Sequence, residues 1–131
     1  MLQNDQPICS GSILNNKTIV TSGKCCNLLD FQNNTKIIAG ELDRNHESGR
    51  EEELNIENFI IHPNYENETM KNDICLIFLQ EDIIFNDFID KITLNTNEKG
   101  NIVCQMSGWG LANVSSIENL SLILNNECSL G

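Results

Sequence analysis

Apolar positions along this chain fall in short runs broken by turn residues. Ser12-Ile13-Leu14 and Thr18-Ile19-Val20-Thr21 flank Asn15-Asn16, a pattern that predicts a β-hairpin. Lys36-Ile37-Ile38-Ala39 and Leu54-Asn55-Ile56 follow, separated by a polar, charged loop. Phe59-Ile60-Ile61 stops at His62-Pro63-Asn64, where Pro63 biases the residue before it toward extended backbone. Ile74 to Leu79 is nearly continuous apolar, as expected of a strand buried on both sides. Ile102-Val103-Cys104-Gln105-Met106-Ser107 and Leu120-Ser121-Leu122-Ile123-Leu124 read as two further strands, and Asn125-Asn126-Glu127 as the cap of a short terminal helix. Short strands at intervals of roughly ten residues predict an all-β barrel or sandwich. Neither an internal repeat nor a low-complexity tract interrupts them.

Composition narrows the class. The chain has 131 residues, 40% hydrophobic and 21% charged, with a net charge of -11. Eight Lys and Arg are too few to neutralise a phosphate backbone, so no nucleic acid partner is expected. No apolar run approaches the roughly 20 residues that span a bilayer, so no membrane partner is expected either. Six cysteines at irregular spacing fit no zinc pattern, and point to disulfides in an oxidising compartment. Five Asn-x-Ser/Thr sequons, at Asn16, Asn33, Asn67, Asn113 and Asn119, agree with that and are candidate glycosylation sites. Chance alone yields about two from 20 Asn and 15 Ser or Thr. Against export stands the start, Met1-Leu2-Gln3-Asn4-Asp5, which has neither a basic nor an apolar leader region.

Two stretches suggest a site. Ile19-Val20-Thr21-Ser22-Gly23-Lys24-Cys25 is an apolar run that ends in small residues, a charge and a cysteine, the way a buried strand delivers a polar side chain to a cleft. Asn72-Asp73-Ile74-Cys75-Leu76 follows about fifty positions later. Together they resemble the trypsin-like (chymotrypsin-fold) serine proteases, where the first strand ends in Thr-Ala-Ala-His-Cys and Asn-Asp-Ile-Ala-Leu carries the buried acid. Further segments resemble the same family in the same order. Cys9-Ser10-Gly11-Ser12-Ile13-Leu14 is similar to its Cys-Gly-Gly-Ser-Leu-Ile, and Phe59-Ile60-Ile61-His62-Pro63-Asn64-Tyr65 to its Ile-Val-His-Pro-Asn-Tyr. Cys104-Gln105-Met106-Ser107-Gly108-Trp109-Gly110 is similar to its Cys-x-x-Ser-Gly-Trp-Gly, and Asn125-Asn126-Glu127-Cys128 to its Asn-x-x-Cys helix. The resemblance implies an all-β, trypsin-like double β-barrel, truncated: a first barrel over about 1–95 and the opening strands of a second over about 96–131. It implies an extracellular protein, and makes Trp109 a packing residue between the barrels.

Three departures from the family pattern bear on activity. Lys24 stands where the general base His is expected, while Asp73 matches the triad acid. Lysine's ordinary pKa, near ~10.4, lies far from the value a general base needs. Lys24 and Asp73 are therefore expected to form an ion pair left from a lost triad. The family's nucleophile, in Gly-Asp-Ser-Gly-Gly, has no counterpart: the chain ends at Gly131 without a Gly-x-Ser-Gly substitute, so the oxyanion loop is missing too. The activation terminus Ile-Val-Gly-Gly is likewise absent ahead of the first strand. The expectation is a chain cut at both ends, either a fragment of a longer product or a degenerate gene product, that does not hydrolyse peptides.

The resemblance also pairs Cys9 with Cys25 and leaves Cys104 and Cys128 with partners beyond the chain. Cys26 and Cys75 fall outside its pattern. Lying two residues past Lys24 and Asp73, they either meet in an extra bridge or remain reduced in the core. Glu41 and Glu51 fall where the family's calcium loop supplies its first and last carboxylates, with Ser48 where a middle Glu is usual. Asp43, Glu47, Glu52 and Glu53 are further carboxylates for Ca²⁺, the one cofactor considered, and the alternative is a solvated acidic loop. His62, before Pro63, has a structural role, and His46 an exposed one.

Three functions follow from this reading. The first is a secreted pseudoprotease that binds a protein partner, whether a protease, an inhibitor or a protein substrate, without cutting it. The second is a fragment or decayed copy of a serine endopeptidase, and the third an acidic Ca²⁺-binding module.

Overall fold

The computed structural model of the protein describes residues 1–3, 6–29 and 35–94, together with the backbone of 102–106 and 124–128. The chain divides into two compact units, Met1–Leu94 and Asn95–Gly131.

The first unit is built on a curled, antiparallel, seven-stranded sheet. Its strands are β1 (Leu2–Gln3), β2 (Gln6–Pro7), β3 (Ser12–Asn15), β4 (Thr18–Thr21), β5 (Thr35–Ala39), β6 (Glu52–Ile61) and β7 (Cys75–Leu79), in the spatial order β2-β1-β5-β6-β7-β4-β3. A short helix, α1 (Gly23–Leu28), follows β4. The fold is thus the all-β one expected.

Strand β7 lies between β6 and β4, and its alternation decides where the core sits. Cys75, Ile77 and Leu79 have no exposed surface, whereas Leu76 and Phe78 are half-buried. One face is therefore sealed and the other only partly covered, short of the burial on both sides that the apolar run predicts. Ile74, expected to open the strand, precedes it and is exposed. Ile19, Cys26, Leu29, Ile37, Ala39, Leu54, Ile56, Ile83 and Ile89 join Cys75, Ile77 and Leu79 in the apolar cluster around β7. Each fully buried aliphatic side chain of this kind contributes roughly 1.5–3 kcal/mol.

Strand β6 joins two segments that read as separate strands. Ile56 pairs with Leu79, while Asn58 pairs with Phe78, so β6 carries one extra residue there. The bulge resets the alternation, which places Leu54 and Ile56 inside before it and Phe59 and Ile61 toward the core after it. Without it, period two would turn Phe59 and Ile61 to the opposite face. The β3–β4 hairpin has a similar irregularity between Ile13 and Asn15, and its turn is held by the Lys17 N–H donating to Asn15 Oδ1 at 2.9 Å.

The second unit contains β8 (Ile102–Met106) and β9 (Leu124–Cys128), paired antiparallel with Cys104 opposite Asn126. The helix cap expected at Asn125-Asn126-Glu127 is therefore corrected: these residues form strand, because pairing with β8 occupies their backbone groups in a ladder. The stretch from Leu120 to Ile123, and Trp109, lie outside the described residues.

Candidate functional site

Sheet register alone brings the two suggestive stretches together. Thr21, the last residue of β4, pairs with Cys75, the first of β7, and Ile61, the last of β6, pairs with Cys75 from the other side. The segment leaving β4 and the segment entering β7 therefore meet at one end of the sheet.

Each segment has its own local device. Ser22 is extended and caps α1, its hydroxyl accepting from the Cys25 N–H at 3.0 Å. This satisfies one of the donors that a helix start leaves without an intrahelical partner. On the other side Asn72 sits at φ 53°, a left-handed conformation that Asn tolerates better than most residues. Its side-chain amide donates to the Asn64 carbonyl at 2.8 Å. The Ile74 N–H donates to the Asn72 carbonyl at 2.8 Å, so the chain turns tightly about Asp73.

Asp73 Oδ1 accepts a hydrogen bond from the backbone N–H of Lys24 at 2.8 Å. Lys24 is the second residue of α1, and its N–H is another of the donors left over at the helix start. The half-buried carboxylate thus holds the first helical turn through the backbone. The Lys24 ammonium does not join it: among the described residues the ion pairs are Lys17 with Asp82 and Lys36 with Glu53. The ion pair expected between the two side chains is replaced by a backbone contact. The physical reason is that the exposed lysine keeps its ammonium in water, where pairing with a carboxylate gains little.

Tyr65 closes the side of the site. A Cβ placed on buried Gly23 would lie 3.2 Å from the Tyr65 ring and 3.2 Å from Ile61 Cγ2, so the ring packs directly on the helix start. Partial loss of solvent, and then the charge of Asp73, push the Tyr65 phenol above its ordinary value. Tyr65 was not read as part of the site in the sequence, and Ser22 lay within the first suggestive stretch without a role of its own. The signal available for Ser22 was a small hydroxyl residue just after an apolar run, a helix-start pattern.

Two disulfides lock the same end. Cys9 and Cys25 are bonded, with Cα atoms 6.0 Å apart, and so are Cys26 and Cys75, at 6.5 Å. Of the two alternatives for Cys26 and Cys75, the bridge is the one formed. Adjacent residues of α1 are therefore tied to two different segments, one to the chain before β3 and the other to β7. Side chains of Cys104 and Cys128 lie outside the described residues, as do Asn33, Asn113 and Asn119.

His62 has a structural place in the turn after β6. Its Nδ1 accepts from the Asn64 N–H at 3.1 Å and its carbonyl from the Tyr65 N–H at 2.9 Å. His46 is exposed in the acidic loop.

In that loop Gly40 has φ 74°, and a Cβ there would come within 2.5 Å of the Arg50 carbonyl oxygen, so only glycine lets the loop ends approach. The Glu51 carboxylate accepts from the Ser48 N–H at 2.8 Å, the Ser48 hydroxyl at 2.6 Å and the Arg50 N–H at 3.0 Å. These bonds hold its pKa at about 2. Glu41 Oε1 is buried with no hydrogen-bond partner. A calcium ion takes six to eight oxygens. Among the described residues no three His, Cys, Asp or Glu side chains converge as a metal would need, and Glu51 is already engaged by Ser48 and Arg50.

Residues 1–129 match the family model described as Trypsin. The chain belongs to the trypsin family. It is 32% identical over 107 residues to Trypsin-1 of Astacus astacus, covering 78% of this chain and 44% of that protein. It is 33% identical over 122 residues to mannan-binding lectin serine protease 1 of Homo sapiens, covering 82% and 17%. With Serine protease 1 of Homo sapiens it shares 31% over 103 residues, covering 78% and 40%. The chain spans less than half the length of each of these trypsin-family relatives.

Proposed function

We propose that this chain is a non-catalytic member of the trypsin family that acts outside the cell by offering a protease-shaped surface to a protein partner. One observation carries this reading. The position matching the family's general base is Lys24, and what Asp73 holds there is the lysine's backbone N–H. The family mechanism needs an imidazole whose one nitrogen is fixed by the acid and whose other takes the nucleophile's proton. An ammonium has three donors and no acceptor. The two disulfides support an oxidising, extracellular setting, in which the sequons are open to glycosylation.

A fluorophosphonate esterifies only a serine activated by a neighbouring base. Exposed to such a reagent, the purified disulfide-bonded chain is expected to stay unlabelled, and Lys24→His alone is expected to gain neither labelling nor turnover of a peptide amide. Stoichiometric labelling of the wild-type chain, or amide turnover by Lys24→His, would overturn the reading.

A second reading is favoured by coverage, since the match reaches 44% of the crustacean trypsin's length. The chain is then part of a longer endopeptidase-type product, and its proteolytic label follows from the family alone. A native transcript that continues into Gly-Asp-Ser-Gly-Gly would favour this reading, and one with the serine replaced would favour the first. Either way Lys24 occupies the base position.

A further inference from the structure

We propose that Asn67 carries an N-linked oligosaccharide and that this glycan shields the Tyr65 side of the Lys24–Asp73 site. The proposal rests on the extracellular reading above and adds which sequon is used and what its glycan covers.

Asn67-Glu68-Thr69 lies in the turn Asn67–Met70, closed at its base by a bridge between Glu66 and Lys71. Every residue from Glu66 to Asn72 is exposed. The Asn67 side chain is divided in its use. Its Oδ1 accepts from the Tyr65 hydroxyl at 3.1 Å, while its Nδ2, the atom that bears a glycan, donates to nothing among the described residues. Linkage at Nδ2 therefore costs the fold no contact. Asn16, the other described sequon, differs. Its Nδ2 donates to Asp82 Oδ2 at 2.9 Å, and its carbonyl accepts from the Ile83 N–H at 2.7 Å, so the hairpin tip is tied to the segment after β7. A glycan there competes with the Asp82 bond.

In the transfer, Asn67 Nδ2 bonds to the anomeric carbon of an oligosaccharide carried on a lipid pyrophosphate. The bond from that carbon to the pyrophosphate oxygen breaks, the pyrophosphate leaves with its electron pair, and the amide nitrogen gives up one proton. A polar, bulky chain then projects from the exposed turn. Its root is one hydrogen bond from Tyr65, and the Tyr65 ring packs on Gly23, next to Lys24. The glycan thus stands beside the exposed Lys24 side chain and restricts approach of a macromolecule from that side.

The test uses the full chain secreted from eukaryotic cells behind an added signal peptide, with site occupancy mapped by peptide-N-glycosidase conversion of Asn to Asp. Native enzymatic deglycosylation is then followed by per-lysine acylation with a bulky amine reagent. The expected result is an occupied Asn67 and severalfold faster acylation of Lys24 after glycan removal, with Lys91 unchanged as the exposed reference. Asn67→Gln and Thr69→Ala should reproduce the faster Lys24 reaction, and native deglycosylation decides the matter if either variant fails to fold. An unmodified Asn67 beside another occupied sequon would overturn this inference and leave the extracellular reading intact. No occupied sequon in a correctly disulfide-bonded secreted chain would overturn the glycosylated reading and the inference together. An occupied Asn67 with unchanged Lys24 reactivity would overturn the shielding.

Discussion

Asp73 holds the first turn of α1 through one charge-assisted hydrogen bond, to the Lys24 N–H at 2.8 Å. Caps of this kind contribute about 1 kcal/mol, within a range of roughly 0.5–2 kcal/mol, and α1 is too short to persist on its own. Asp73→Ala is accordingly expected to lower stability by about 1 kcal/mol in denaturant melts. It should also speed hydrogen exchange of the Lys24 amide more than that of amides in β7. Lys24→Ala, which keeps the backbone N–H, should leave both nearly unchanged. Equal effects of the two variants would mean that the lysine side chain, and not the backbone, is what Asp73 binds. The juxtaposition of Lys24 and Asp73 was legible in the sequence through motif order. The atom that makes the contact was not, because a residue type says nothing about whether its backbone or its side chain meets the carboxylate. Asn72 belongs to the same lesson: its left-handed φ gives a conformational reason for Asn before Asp that no spacing reveals.

At the scale of elements, the strands followed the apolar runs in β3, β4, β5 and β7. The failures have separate physical origins. A bulge between Ile56 and Asn58 joins what reads as two strands, since one extra residue breaks the period without ending the ladder. Helix α1 has no apolar periodicity of its own and is held by Ser22, Asp73 and two disulfides. β9 takes polar residues that suit a cap and pairs them with β8.

Cys26 and Cys75 close a loop with a sequence separation of 49. Replacing both by Ala should cost about 2–4 kcal/mol by relaxing the unfolded chain, and with it the protection of the Lys24 amide. Retention of the wild-type melting temperature would show that the bridge adds nothing to the packing of two fully buried side chains.

The acidic loop offers a pH-dependent test. Glu51 is held at about 2, below its ordinary 4.5, by bonds from Ser48 and Arg50. Its contribution to the folded loop is complete above the ordinary value and is lost as pH falls from there through about 2. Carboxyl carbon NMR should show Glu51 titrating near the lower value, and Ser48→Ala should move it back toward the ordinary one. A wild-type Glu51 titrating near its ordinary value would mean that the loop is not closed by this carboxylate.

At the scale of the molecule, the chain keeps an all-β framework of the trypsin family. Register carries the end of β4 to the start of β7, the Cys9–Cys25 bridge ties α1 to the chain before β3, and the core around Ile77 and Leu79 is sealed. On the reading proposed above, the group delivered to that position is a lysine in place of the family's base. A sheet can hold its geometry while the chemistry at its end is replaced, because burial and register depend on the apolar residues and not on Lys24. The most direct test of the account is the rate of peptide-amide hydrolysis by the purified, disulfide-bonded chain across neutral and alkaline pH, with Lys24→Ala beside it. The account predicts a rate indistinguishable from buffer for both proteins at every pH. Turnover that rises with deprotonation of an amine and disappears in Lys24→Ala would contradict it, because Lys24 would then be acting as the base.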